Sequence, residues 1–383
     1  MAKIFACGDI VCKHVKDQFI AENIIRKIAE ADYAVANLEG PININRPEKN
    51  GVYQNQESIG LLKDAGFSML LLANNHMGDY GRSSLKHTIS TIEKYGLEYI
   101  GAGLDYDNVY QPKIVTIDNK TFAFINVCEA QPYYYHSSAQ KYGYAWMGDR
   151  NMVERLGNLR KKADFIVAFV HAGLENVSLP LKYFKDYYHW LIDHGVDAVV
   201  GGHPHIPQGV EQYKKKLIVY SLGNFFFYPY LDENKYYAHE NSSYSILLNF
   251  PSNINDEITY DCIYHKRVGG TVAMIPSSEA SFSIDALSLM ITASDYEIKH
   301  RALINNAYEN LVKRLYRGCI HTISPDDSLL NKVKFIILYL FFPKRLRGDE
   351  TAQKRIFVNL IVNETYNYIV HEQFNEAYAP ETE

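Results

Sequence analysis

Six short polar clusters interrupt the apolar runs of the first 230 residues. They are Gly8-Asp9, Asn37-Leu38-Glu39-Gly40, Asn74-Asn75-His76, His171 with Glu175, His203-Pro204-His205, and Ser221-Leu222-Gly223-Asn224. Nearly all of them offer an oxygen or nitrogen donor to a divalent cation. Carboxylate, amide oxygen and imidazole together suit Mn, Fe or Zn. One carboxylate can bridge two such ions. A pair of ions roughly 3.5–4 Å apart clamps a phosphoryl oxygen and lowers the pKa of a bound water. Imidazoles on either side of one proline point differently, so His203 and His205 can serve separate ions. His76, next to an amide ligand, is placed to donate a proton or a hydrogen bond to developing charge. Taken singly, each cluster has a plainer reading: Asp9 as a helix cap, Asn74-Asn75 as a turn with one left-handed residue, His171 as a satisfied core histidine, GGHPH as a turn. Taken together, Asp9, Glu39, Asn75, His171, His203 and His205 all follow apolar strands of one α/β unit, where a single site can gather them.

The elements that must position these residues are visible in the hydrophobic pattern. KIFACGDIV, ADYAVANLEG, FSMLLLANNH, LEYIGAG, DFIVAFVHAG and VDAVVGGHPH read as strands. Between them lie helical patterns such as FIAENIIRKIAE, ESIGLLKDAG ending at Gly66, GRSSLKHTISTIEKYG closed by Gly96, NMVERLGNLRKKA and LKYFKDYYHWLIDHG. PKIVTIDNKTFAFINVCE predicts a hairpin around Asp118-Asn119, and GVEQYKKKLIVYSLGNFFF predicts another. Continuous apolar strands alternating with helices mark a sheet covered on both faces, so the class is α/β. The polar clusters sit just past the carboxyl ends of the strands, where ligands bind in open α/β sheets. Further strands follow Tyr230, and from about Asp285 the pattern turns helical. The expected division is 1–280 for the α/β domain and 281–383 for a mainly helical extension.

Composition narrows the function. The 383 residues are 47% hydrophobic and 22% charged, an ordinary globular balance. The net charge of −5, from 44 acidic and 39 basic side chains, argues against a nucleic-acid binder, which needs a basic field. MAKIFACGDIVCKH lacks the long apolar region and cleavage site of a signal peptide. The five cysteines are scattered with no CxxC pair, as in a reducing compartment, so a cytoplasmic location is expected. In LLNKVKFIILYLFFPKRLRG the apolar run from Phe335 to Phe342 is too short to span a bilayer. Its basic flanks give residues 332–347 two readings: a buried packing helix, or an interfacial helix making peripheral contact with the inner face of an anionic membrane. Among the 31 tyrosines, two clusters fall in the loops 129–147 and 226–244, next to the motifs. Aromatic faces there would suit a sugar ring.

The order GD, NLEG, ANNHMGDYG, HAGLE, GGHPHIPQG and YSLGNFFF resembles the CapA family over about residues 3–250. That family is associated with poly-γ-glutamate and capsular-polymer synthesis and is grouped with the calcineurin-like metallophosphoesterases. The resemblance implies a four-layer αββα sandwich with the site at its sheet ends. It implies two divalent ions: Asp9 and His205 on the first, Asn75, His171 and His203 on the second, and Glu39 bridging both. His76 would contact the scissile group, with Asp9 and Glu175 completing the catalytic set. Asn37, Asn74, Asp79 and Asn224 would support the ligands or face the substrate, with Tyr134 and Tyr228 on the walls. There are departures from the family pattern. Val11 stands where the wider superfamily has a histidine, Ala172 where the family often has tryptophan, and the sequence opens without the membrane anchor many members carry. The implied activity is a metal-dependent hydrolase acting on a phosphoester or γ-glutamyl amide. Its substrate would be a surface polymer, a glycan or a phosphorylated small molecule. The alternative is a non-catalytic accessory subunit of a polymer synthesis or export complex.

Overall fold

The computed structural model describes residues 1–15, 17–44, 51–131, 134–135, 142–228, 242–268, 270–312 and 362–375. β1 (Ala2–Cys12) is apolar on both sides of its pleat because it runs through the middle of an eight-stranded sheet. On one flank lie β2 (Tyr33–Leu38), β3 (Met69–Leu71) and β4 (Glu98–Ile100), all parallel to it. On the other lie β15 (Ser242–Phe250), β16 (Thr259–Val268) and β17 (Thr271–Met274), joined antiparallel. β14 (Asn224–Tyr228) pairs in parallel with the carboxyl end of β1. A three-stranded sheet is made by β5 (Ala102–Gly103), β9 (Gly143–Ala145) and β8 (Tyr134–Tyr135). The remaining six strands form a second large sheet. They are β6 (Lys113–Ile117), β7 (Lys120–Cys128), β10 (Phe165–His171), β11 (Ala198–Gly202), β12 (Val210–Tyr213) and β13 (Lys216–Val219), in the order β12-β13-β11-β10-β7-β6.

The two large sheets pack face to face. Phe122 and Phe165 of one meet Phe250 of the other, with ring centroids 5.0 and 5.1 Å apart. Tyr33 stacks on Phe124 at 5.3 Å. Such pairs add about 0.5–1.5 kcal/mol each beyond their buried area. The helices α1 (Glu22–Ala29), α2 (Glu57–Asp64), α3 (Gly81–Lys94), the short α4 (Tyr106–Val109), α5 (Met152–Arg160) and α6 (Lys182–Asp193) connect the strands and bury their apolar stripes against them. The result is the four-layer αββα sandwich that the resemblance implies. α7 (Ile284–Thr292) packs on β12, and Val210 N donates to Ser288 Oγ at 2.8 Å. The chain divides into two compact units, Met1–Tyr296 and Glu297–Glu383. In the second, α8 (Tyr296–Ala307) and α9 (Glu364–Asn375) are tied by Arg301 donating to the Glu372 carbonyl at 2.9 Å.

Both expected hairpins form, and both turn on paired left-handed residues, as the right-handed twist of strands favours. Asp118 and Asn119 have φ of 47° and 60°, and Lys214 and Lys215 have 51° and 65°. The second hairpin departs from expectation in its last strand. β12 and β13 stay in the second sheet, but Ser221–Gly223 carries the chain across to the first, where Asn224 pairs with Asp9. That crossing forces backbones together. Asp9 N donates to the Gly223 carbonyl at 3.1 Å, and a Cβ on Gly8 would lie 1.7 Å from the same oxygen. Gly8 is also the extra residue where the β1–β2 register slips between Cys7 and Asp9. A bulge of this kind re-aims the next side chain.

Gly8→Ala is therefore expected to cost about 3 kcal/mol or more, at the upper end of overpacking effects. Gly157→Ala, in α5 with nothing within 4 Å of the added Cβ, should be neutral or stabilising by about 0.5–1 kcal/mol. Urea denaturation of the two variants checks the contrast.

Candidate metal centre

The six residues expected to ligate come together at the carboxyl ends of five strands drawn from both large sheets. Asp9 leaves the bulge in β1, Glu39 follows β2 directly, and Asn75 follows β3. From the second sheet, His171 is the last residue of β10, and His203 and His205 follow β11. The two histidines flank Pro204 with φ of 93° and 62°, a left-handed backbone that non-glycine residues rarely adopt and that a functional site can sustain.

Asp9 is fully buried. Its Oδ1 accepts from Asn37 Nδ2 at 2.7 Å, while Oδ2 lies 3.2 Å from His205 Nδ1 without a well-formed hydrogen bond. Glu39 is fully buried as well, and neither of its oxygens has a hydrogen-bond partner. The nearest nitrogens are His76 Nε2 at 3.7 Å and His205 Nε2 at 3.8 Å. A buried carboxylate left this way is costly unless a cation joins it. One donor atom each from Asp9, Glu39 and His205 fall within 4.8 Å of one another. A second group converges beside them. His171 Nε2 lies 3.1 Å from Asn75 Oδ1 and 3.1 Å from His203 Nδ1. Carboxylates, imidazoles and an amide oxygen in this arrangement fit a pair of divalent cations with Glu39 between them.

The supporting residues have separate tasks. Asn37 Nδ2 bonds Asp9 and lies 3.3 Å from His171 Nδ1, joining the two sheets. Asn74 is buried. Its amide donates to the Leu38 carbonyl at 2.9 Å and accepts from Gly40 N at 3.1 Å, bracing the segment that carries Glu39. Asp79 is exposed and sits 2.8 Å from His76 Nδ1, which turns His76 Nε2 towards Glu39. Asn224 Oδ1 lies 3.0 Å from His205 Nδ1. Glu175 is exposed at the mouth, within reach of His203 and His205. Val11 and Ala172 are buried and bring no donor. Tyr144 is fully buried, and its hydroxyl bonds the Gln131 backbone, so it ties those two residues together from inside. The side chains of Tyr134 and Tyr228, together with residues 332–347, lie outside the described residues.

Three further residues hold the centre in shape. Glu129, buried at the end of β7, places Oε1 3.4 Å from His203 Nε2 and accepts from Gln131 Nε2 at 2.7 Å. Gln131 in turn accepts from Asn75 Nδ2 at 3.2 Å. A carboxylate on Nε2 fixes the imidazole tautomer and leaves Nδ1 free to ligate. Glu129 follows the apolar run AFINVC just as the motif residues follow theirs, and that position is the signal its sequence carries. Gln54 is buried in a loop with no motif around it. Its Nε2 donates to the Ile10 and Glu39 carbonyls at 2.8 and 2.7 Å, and its Oε1 accepts from Cys12 N at 3.0 Å. Asn126 accepts from Ala73 N at 2.7 Å and donates to the Phe169 carbonyl at 3.2 Å, pinning the Asn74-Asn75-His76 turn to the second sheet.

The model of the bacterial capsule synthesis protein PGA_cap family matches residues 3–229. The chain belongs to this family. Similar proteins include the capsule biosynthesis protein CapA of Bacillus anthracis, 29% identical over 57% of this chain and 58% of that one. The PGA biosynthesis protein CapA of Bacillus subtilis strain 168 is 28% identical over 57% and 62%. The chain thus spans about three fifths of these relatives. A Mycobacterium tuberculosis H37Rv relative, named a probable polyglutamine synthesis accessory protein, is 27% identical over 40% and 43%. A 5'-nucleotidase structure from Candida albicans SC5314 aligns with TM-score 0.44 at 10% identity, over 80% of this chain and 57% of that one.

In this PGA_cap chain the electrostatics follow from burial and crowding. Burial pushes Glu39 up to about 8, helped by the charge of Asp9 and opposed by His205 and His76. Asp9 is also desolvated, but His205, His171 and Asn37 outweigh that and hold it down at about 2. Burial drives His171 well below the usual imidazole range and His203 down to about 4, so both are neutral at pH 7, the form that binds metal. Burial would lower His205 and His76 too. The carboxylates Glu39 and Asp9 lift His205 above its ordinary value, and Asp79 and Glu39 lift His76.

Without metal, Glu39 favours folding fully below its unfolded value near 4.3, and this contribution is lost as pH rises through its folded value of about 8. Metal-free Glu39→Gln should therefore melt about 5 °C above metal-free wild type at pH 8 and close to it at pH 4. Added Mn²⁺ should raise the melting temperature of wild type and leave the variant unchanged. Calorimetry at the two pH values reads both effects. Glu129→Ala should weaken Mn²⁺ binding about 10–100-fold, measured by competition with a metal indicator.

Proposed function

We propose that this PGA_cap chain is a metal-dependent hydrolase of surface-polymer metabolism, cleaving a phosphoester or γ-glutamyl amide bond. The observation that carries this reading is Glu39, fully buried with neither oxygen hydrogen-bonded, between two convergent donor sets. Asp9 and His205 would hold one divalent ion, Asn75, His171 and His203 the other, with Glu39 between them. Ions bound there would supply Lewis acidity towards an oxyanion and towards an attacking water.

The protein's own groups do the rest. Asp79 fixes His76 by its Nδ1 and leaves Nε2 facing the site, and the ring is 27% exposed, so it meets both substrate and ligands. That geometry suits a donor to charge developing on the leaving group. Glu175 at the mouth orients the substrate from the solvent side. The names of two relatives speak of capsule and PGA biosynthesis, which supports a substrate among surface polymers, glycans or phosphorylated precursors of these.

A second reading, an accessory binding subunit, is favoured by Val11, which removes one donor from the first ion, and by the accessory role in the name of the mycobacterial relative. Turnover separates the two. The Mn²⁺-reconstituted protein should hydrolyse bis(p-nitrophenyl) phosphate or γ-glutamyl-p-nitroanilide, and His76→Ala should lower kcat about 10²–10⁴-fold with metal content unchanged. Full metal occupancy with turnover of neither compound would favour the accessory subunit.

A further inference from the structure

A cavity of 210 Å³ lies between β7, α5 and the segment Val109–Pro112. It arises from the strand pairing. The β6–β7 ladder ends at Lys113 opposite Phe124, and the next partner on that edge of β7 is Trp146, bridged to Cys128. Ile125–Val127 therefore have no strand neighbour there, and α5 roofs the gap. Ile125, Val127, Leu156 and Leu159 make the interior apolar. The polar groups stand at the rim: Gln111, Asn158 and Lys162, all exposed.

The charges at this rim are unequal in an informative way. Arg155 is already matched, with Nε 3.0 Å from Asp149 Oδ2 and its guanidinium over the Tyr110 ring at 4.5 Å. Lys162 has no ion pair or hydrogen bond from its ammonium among the described residues. The cavity thus combines an apolar interior, one uncompensated positive charge and two amide side chains. Its volume equals about seven waters. An occupant that satisfies all of this has an apolar body of a few carbons and one carboxylate.

We propose that this cavity is a binding site for small apolar carboxylates, with Lys162 pairing the carboxylate and Ile125, Val127, Leu156 and Leu159 enclosing the apolar body. The site contains none of the candidate metal ligands, shares Asn126 with the residues that brace that centre, and does not depend on the hydrolase reading. Gln111 and Asn158 can donate to the second carboxylate oxygen. A dianionic phosphate fits less well, because one lysine leaves half its charge unmatched with Asp149 close to Arg155.

Ligand-observed NMR titration with sodium hexanoate and with hexylammonium chloride tests the site on the full chain. Hexanoate should bind at least about tenfold more tightly than hexylammonium, and Lys162→Ala should weaken it about fivefold or more. Asn158→Trp, which fills the mouth from the exposed face of α5, should weaken it tenfold or more. Gln111→Trp fills the mouth from the opposite wall and serves as the plug if Asn158→Trp lowers the unliganded melting temperature. Equal binding of hexanoate and hexylammonium would overturn the proposal. So would no saturation transfer at about 10 mM hexanoate, or unchanged hexanoate affinity in a correctly folded plug variant.

Discussion

Two carboxylates, Asp9 and Glu39, are withdrawn from water at the seam between two sheets, and the protein does not supply enough hydrogen-bond donors to satisfy them. Much of the surrounding structure is arranged to hold that unfavourable pair in place. Gly8 and Gly223 touch so that Asp9 can leave its strand at the required angle. Gln54 clamps the β1 end to the Glu39 carbonyl, and Asn74 ties down the residues on either side of Glu39. Such an arrangement would be sustained if folding and cation binding were linked, because a bound ion would repay the desolvation that the protein alone leaves uncompensated.

The candidate donors come from both sheets, so a bound ion would also be a cross-link. Asp9, Glu39 and Asn75 belong to the first sheet, and His171, His203 and His205 to the second. Asn126 adds a neutral cross-link a layer deeper, between the turn after β3 and β10. The interlocked Phe122, Phe165 and Phe250 fasten the amino-terminal end of the parallel strands without direction, whereas the polar centre lies at their carboxyl end with fixed geometry. Apolar packing sets the spacing of the sheets, and the polar end sets their register.

The sequence makes the strands and most of the gathered polar residues legible because each cluster punctuates an apolar run. The polar residues sit near the carboxyl end of the strand, so one pattern gives both the element and the candidate site. The Asp118-Asn119 turn is legible for a similar reason, since those residues tolerate positive φ. Lys214-Lys215 adopts the same turn with no such preference, and only strand pairing on both sides explains it. The transfer of Asn224 to the first sheet is also hidden, because SLGN reads equally well as the end of a hairpin. Gln54 and Asn126 act through backbone groups brought near by the fold, and no local spacing encodes such a partner. Glu129 is intermediate: its place at a strand end is legible, and its neighbour His203 is not.

One feature of the first sheet bears on how the chain reaches this state. β1 can join β2 soon after both are made, but its other edge is occupied by β15, from Ala2 opposite Phe250 to Ala6 opposite Ile246. During synthesis, more than two hundred residues must emerge before that edge is covered. For all that time β1 presents an open ladder, a template for pairing with other chains. Long-range pairing of this kind is slow to form. Any shielding of the nascent first half, as by a chaperone, would therefore matter most before β15 is made.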